Sequence, residues 1–266
     1  MKALPTFLIA ILLSGCGIPF VQTVATPTSI EMTATISSPT STPEPVGTAT
    51  RKAQLAATQT MHVAKTQAVK TEAAQTVLTA FAKLSAMIEE TKGTSNEVDG
   101  LDISQAELVF GPASKTLRSN RYNVKTFDPE LDLKNFIATI KFVNPQDTSS
   151  VSSWDYGLLF RNEYGDDQYR LIFLSDQSWT VMNANTWLNV SGGTDENLRI
   201  ELGETNEIWL VVVESRAYLF TNDAFVTAFN VKTKLDPGDV SPATSLEGNE
   251  AEYAIEFHDF IVWSLP

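Results

Sequence analysis

Apolar and aromatic residues between Leu101 and Pro266 fall into short runs separated by polar turns, the pattern of β-strands. Phe136–Phe142, Tyr156–Arg161, Tyr169–Leu174 and Ser178–Met182 come first, rich in the aromatic and β-branched residues that suit a pleated surface. Asn197–Glu201, Glu207–Val213, Tyr218–Phe220, Phe225–Asn230 and Tyr253–Phe257 continue the series. Thr221-Asn222-Asp223-Ala224 reads as a hairpin turn, because Asn and Asp tolerate the positive φ that tight turns demand. Successive strands with no helix between them predict a mainly β domain, an antiparallel sandwich or jelly roll.

The period changes upstream. Pro and Gly vanish between Arg51 and Lys92 while Ala, Gln, Lys and Glu take over, which predicts one long helix over 51–92 with Gly93 as its C-cap. Val69, Ala73, Val77, Phe81, Leu84 and Ile88 form an apolar stripe on its second half. Such a stripe can pack on the following domain, seam an oligomer or lie on a membrane. Packing is favoured: the stripe falls short of the roughly three to four heptads of a coiled coil, and a surface helix would carry Trp and a basic face.

From Val21 to Thr50 the chain is Thr-, Ser-, Pro- and Ala-rich, a composition that buries no core and favours a disordered, extended spacer. Lys2 and the run Phe7–Leu13 ahead of it read as a signal peptide, since the run is far short of the roughly 20 residues of a membrane span. Leu13-Ser14-Gly15-Cys16 resembles the lipobox of bacterial lipoproteins. The resemblance implies cleavage before Cys16, a lipid on its thiol, and a membrane-anchored, extracytoplasmic location. The expected layout is a signal peptide at 1–15, a lipid-anchored linker at 16–50, a helical stalk at 51–92 and a sandwich domain at 101–266.

Composition narrows the chemistry. Cys16 is the single cysteine, so no disulfide forms within the chain and no thiolate-rich metal site exists. Only His62 and His258 are available as imidazole ligands, which disfavours zinc. Basic and acidic residues balance over 1–100, so the whole net charge of −13 resides in the β domain. That charge disfavours nucleic acid and anionic lipid as its partners.

Three segments carry a family resemblance. Trp154–Leu174, reading WDYGLLFRNEYGDDQYRLIFL, looks like paired strands of concanavalin A-like domains. Asn206–Val231 is similar to a laminin-G-like hairpin, and Glu256–Trp263 resembles the last strand of that group and of its 3-keto-disaccharide hydrolase-like relatives. The resemblance implies a jelly-roll sandwich and admits binding modules, glycosidases and protein-interaction domains, because fold does not choose among functions.

Laminarinase-type members carry E-x-D-x-x-E on one strand, which sets carboxylates at the separation a retaining mechanism requires. Glu130 and Asp132 begin that pattern, but Asn135 replaces the third carboxylate. Glu256 and His258 share parity on the last strand as a weak acid–base candidate, with no nucleophile in view. Glu163, Asp166 and Asp167 cluster in one turn, where calcium is the only cofactor they suggest; a solvated turn is the favoured account. Binding chemistry is better supplied. Arg161 and Arg170 are expected on one hairpin face, and Trp179 and Trp187 flank a polar segment containing Asn185, so that rings and polar groups together suit a sugar. Trp209 and Trp263 are expected in the core. The favoured reading is a non-catalytic carbohydrate- or polymer-binding module; a glycosidase-like enzyme and a protein-interaction domain are the alternatives.

Overall fold

Strand alternation turns one side of each sheet inward. The computed structural model describes residues 47–119, 123–146, 153–163, 167–247 and 252–266, with side chains from Ala68 onward. The signal peptide, Cys16 and the linker up to residue 46 lie outside the described residues, and the helix begins at Gly47, inside the segment expected to be linker. One helix, α1 (Gly47–Lys92), precedes the strands β1 (Glu107–Arg118), β2 (Lys125–Thr126), β3 (Phe136–Val143), β4 (Asp155–Asn162), β5 (Tyr169–Leu174) and β6 (Ser178–Asn183). There follow β7 (Leu188–Thr194), β8 (Thr205–Val213), β9 (Arg216–Thr221), β10 (Ala224–Asn230), β11 (Asp239–Thr244) and β12 (Ala254–Ser264).

These strands form two antiparallel sheets, one ordered β1-β12-β3-β8-β9-β10 and the other β2-β11-β4-β5-β6-β7. The result is an antiparallel jelly-roll sandwich, as expected from the sequence. Between the sheets Phe136, Phe142, Leu210 and Phe257 meet Tyr156, Phe160, Leu171 and Val181. Phe142 stacks on Tyr156 at 4.5 Å, and Phe160 on Tyr169 at 5.1 Å. A β-carbon on Gly157 would lie 1.8 Å from the Leu171 carbonyl oxygen, so the glycine in the GLLFR stretch is what lets β4 and β5 approach.

The outer face of the first sheet is apolar too, because α1 covers it. Leu84, Met87 and Ile88 pack with Trp209, Tyr218, Phe220, Ile261 and Trp263, while Phe81 lies 5.9 Å from the Trp263 ring. Two buried faces explain why β3 and β8 read as continuous apolar runs rather than alternating ones. Trp209 and Trp263 are therefore core residues, stacked 6.4 Å apart beneath the helix. Lys83 closes the contact by pairing with Glu207 and Asp223. The stripe ends within the helix: Val69 is 57% exposed. Residues 54–266 form one compact unit. Among the described residues no helix is long and apolar enough to cross a membrane.

Two local expectations fail for identifiable reasons. Asn197–Glu201 is a loop, because the side-chain amides of Asn144 and Asn206 take the Arg199 and Glu201 carbonyls that a neighbouring strand would bind. The Arg199 N–H likewise goes to Asn206 Oδ1 at 2.8 Å. Conversely, β7 forms despite Gly192 and Gly193, and β11 forms despite Pro242, since pairing to β6 and β4 supplies what local propensity lacks. The turn at 221–224 is as expected, with Asn222 at φ 44° and Asp223 at φ 75°.

Candidate functional site

With one outer face under α1, the outer face of the second sheet is the remaining sheet surface. Its middle is floored by Leu159, Ile172 and Ala243 and overlain by Leu246. Register lines up Ser241, Leu159, Arg170, Met182 and Asn189 in one row across β11, β4, β5, β6 and β7. At the β2 and β11 side of this row lies a cleft of about 1070 Å³, reached by Arg170, Gln168, Asn162 and Leu159.

Arg170 is 6% exposed and still lines the cleft. The Gln168 amide, oriented so that both its ends are satisfied, donates to Asn162 Oδ1 at 2.6 Å and accepts from Arg170 Nε and Nη2 at 3.3 and 3.2 Å. Trp187 lies against the guanidinium, 5.2 Å from ring centroid to the carbon, yet keeps 61% of its surface exposed. Asn183 sets this geometry: its Oδ1 accepts the N–H groups of Asn185 and Thr186 at 3.0 and 3.2 Å, turning the β6–β7 tip. Trp187 follows at φ 55°, and Asn185 is exposed at the tip. Arg170 and Trp187 thus meet at one corner of the open sheet, with Asn185 two residues before Trp187 on the same tip.

A buried carboxylate positions the far wall. Asp155 accepts from the N–H groups of Leu246 and Glu247 at 2.9 and 3.2 Å, and the Leu246 carbonyl faces Arg170 Nη1 at 3.5 Å. Burial raises the Asp155 carboxyl above its ordinary pKa despite these bonds, and burial together with Asp155 raises Glu247.

Other sequence-predicted residues are placed elsewhere. Arg161 does not share a face with Arg170: at φ 48° it turns inward, is 0% exposed, and donates to four backbone carbonyls. These belong to Lys134 at 3.0 Å, Lys234 at 2.8 Å, Val231 at 3.4 Å and Glu214. It is a tie between loops, and no donor is left for a ligand in that corner. Trp179 is 5% exposed within the core, near Phe229, so its face is unavailable for stacking. Glu163 and Asp167 both pair with Lys234, at 3.0 and 3.1 Å, and Lys234 is 4% exposed. Burial works to lower the Lys234 pKa, but these two bonds outweigh it and the net shift is upward. Asp166 lies outside the described residues. Among the described residues no three His, Cys, Asp or Glu side chains are gathered as a metal site. Glu256 and His258 are half-exposed neighbours at 3.9 Å. Asn135 is buried, bonding the Pro266 carbonyl at 2.7 Å and the Glu214 N–H at 2.8 Å, which makes it a structural residue and not a displaced acid.

Sequence reasoning missed Gln168, Asn162, Asp128 and Asp155. No spacing marks them: Asn162 and Gln168 sit on the same β4–β5 hairpin as Arg170 without any motif, and Asp128 reaches the cleft from a separate connection. Glu130 and Asp132 surfaced only as a broken catalytic pattern, yet both line the cleft beside Asp128.

No family model matches the chain, and no curated protein matches it by sequence. Solved structures match its shape. A carbohydrate binding module, CBM66, from Bacillus subtilis is 9% identical with a TM-score of 0.44, covering 55% of this chain and 86% of that one. A protein of unknown function with a galectin-like fold, also from Bacillus subtilis, is 11% identical with a TM-score of 0.42, over 59% and 86%. A fructosyltransferase from A. japonicus is 15% identical with a TM-score of 0.44; the match covers 61% of this chain and only 27% of that enzyme. The jelly roll is defined by the chain's own strand order and register.

Proposed function

We propose that the protein is a non-catalytic carbohydrate- or polymer-binding module, held at a membrane from its N-terminus by a lipid on Cys16. The cleft on the open sheet carries this reading. An exposed indole face at Trp187 suits the apolar face of a sugar ring, while Arg170, Gln168 and Asn162 offer charged and amide hydrogen bonds to hydroxyls beside it. The first two of those polar groups are buried and mutually bonded, so the site is ordered before a ligand arrives. Asp128, Glu130 and Asp132 on the rim lie on an irregular connection, and Asn135 occupies the third place of the E-x-D-x-x-E spacing. Binding without turnover is the reading that fits both facts.

A glycan array read alongside a hydrolysis screen tests the proposal. Trp187→Ala should weaken glycan binding at least tenfold while the thermal midpoint stays unchanged, since ring stacking is lost from an exposed side chain. Sustained product release from any glycan, abolished by Glu130→Gln, would replace the module with an enzyme. For the anchor, palmitate label should enter the wild-type chain and not Cys16→Ser; an unlabelled wild type refutes it.

A further inference from the structure

The helix α1 does not close on the first sheet along the whole of their contact. Towards its N-terminal side a cavity of about 820 Å³ lies between helix and strands, with Thr71, Gln75 and Thr79 on the helix wall and Thr139 and Ile261 on the sheet. A spacing of four sets the three helix residues on one face. Gln75 Nε2 donates to Thr79 Oγ1 at 3.3 Å, and the amide oxygen of Gln75 is uncommitted among the described residues. The charges around the cavity are largely matched within the protein. Lys83 pairs with Glu207 and Asp223, and Lys141 with Asp259 at 2.8 Å; among the described residues of the wall only the exposed carboxylate of Glu72 has no ion pair.

The sheet side holds two polar groups that the fold leaves unused. Thr139 is 2% exposed, and among the described residues its hydroxyl has no hydrogen-bond partner. Trp209 stands opposite it on β8, fully buried, and its indole N–H is likewise unpartnered. Around them the same face is apolar, with Ile137, Val211, Ile261 and Trp263. Valine at 139 and phenylalanine at 209 would suit such a face and leave nothing unsatisfied. A buried donor without a partner destabilises a fold, so packing alone does not account for two of them side by side, one on the wall of a cavity. Thr139 lacks an acceptor or donor that an oxygen of a molecule in the cavity supplies.

We propose that the cavity beneath α1 is a second ligand site, for a neutral polyhydroxylated molecule of about one or two sugar units. Charges already paired offer little to an ionised group. Threonine hydroxyls and the Gln75 amide exchange hydrogen bonds with ligand hydroxyls, while threonine methyls, Ala80 and Ile261 meet its C–H surface. The site lies on the sheet opposite that of Arg170 and Trp187, and it rests on the carbohydrate reading above only for the class of ligand. No aromatic ring is present among its described wall residues, so its affinity is millimolar and below that of the Trp187 cleft.

Methyl NMR on the full-length chain, titrated with a neutral glucose trimer and with a uronate trimer of equal length, tests this. The glucose trimer should shift the Thr139, Thr79 and Ile261 methyl signals saturably, and the uronate trimer should not. Thr139→Val should weaken binding at the remaining methyls about tenfold, the worth of one hydrogen bond, while the urea midpoint holds or rises because an unsatisfied hydroxyl has gone. Gln75→Met/Thr79→Val, altered only on the helix wall, should weaken it too, and Trp187→Ala should leave it untouched. Shifts that survive Thr139→Val, or a urea midpoint that falls in that variant, overturn the site. Uronate binding as tight as glucose overturns it as well. Silence at these methyls, with glycan binding still sensitive to Trp187→Ala, overturns this inference and keeps the cleft as a sugar site. Silence at both, with an empty glycan array, overturns the carbohydrate reading and the inference with it.

Discussion

Replacing Arg161 with Met separates a structural tie from a ligand contact. The side chain is 0% exposed and its guanidinium holds the carbonyls of Lys134, Glu214, Val231 and Lys234, so three loops depend on one cation. Burial lowers the Arg161 pKa from its usual value without discharging it, because guanidinium titrates far above neutrality. Methionine fills much of the same volume and offers no donor. Each buried carbonyl left without a partner costs about 1–3 kcal/mol; the loops will relax and admit water, so the sum is sublinear and about 3–5 kcal/mol is expected. That is a large part of the 5–15 kcal/mol of a typical domain. With a denaturant slope of about 2 kcal/mol/M, the urea midpoint should fall by about 2 M, followed by tryptophan fluorescence. Arg161→Lys should fall in between, since one ammonium cannot span four carbonyls. A midpoint within about 0.5 M of wild type refutes the reasoning, at the slope just given. Lost ligand binding at an unchanged midpoint would restore Arg161 to the binding surface.

Leu84→Ala removes a fully buried contact between α1 and the first sheet, and should cost about 2–5 kcal/mol and red-shift emission as Trp209 and Trp263 meet water; a loss under about 1 kcal/mol would mean that the helix is not part of the core. Asp155 has a folded-state pKa above its ordinary 3.8, so its contribution is fully present below that value and is lost as pH rises through the raised one. Asp155→Asn should therefore flatten the decline of stability on raising pH from about 4 upward, measured as the urea midpoint across pH; an unaltered profile would show that the carboxylate does not titrate between these states.

Periodicity made the fold legible wherever a strand carried its own signal. The runs at 136–142, 169–174 and 207–213 correspond closely to β3, β5 and β8. It was silent where pairing decides: β7 carries adjacent glycines, and β11 contains a proline. The site was only partly legible. Arg170 and Trp187 meet, whereas Arg161, expected on the same hairpin face as Arg170, is turned inward at a positive φ that no alternation rule anticipates. Trp179 failed differently, because an aromatic at a strand position looks the same in sequence whether it faces core or solvent. Of the cleft's remaining groups, Asn162 and Gln168 lie on the hairpin that carries Arg170, whereas the 124–132 connection and Asp239 reach it only through the pairing of β11 with β2 and β4.

The helix contact also bears on mechanics. Tension applied at the N-terminal end of α1 enters the sandwich first at Val77 and Phe81 and at the Lys83 pairing with Glu207 and Asp223, and only afterwards at Leu84, Met87 and Ile88. Load directed away from the sheet would part these contacts one after another, the geometry of a peel, rather than all at once. Strain would then be spent at the helix seam, while the opposite sheet, which bears Arg170 and Trp187, kept its shape around whatever it held.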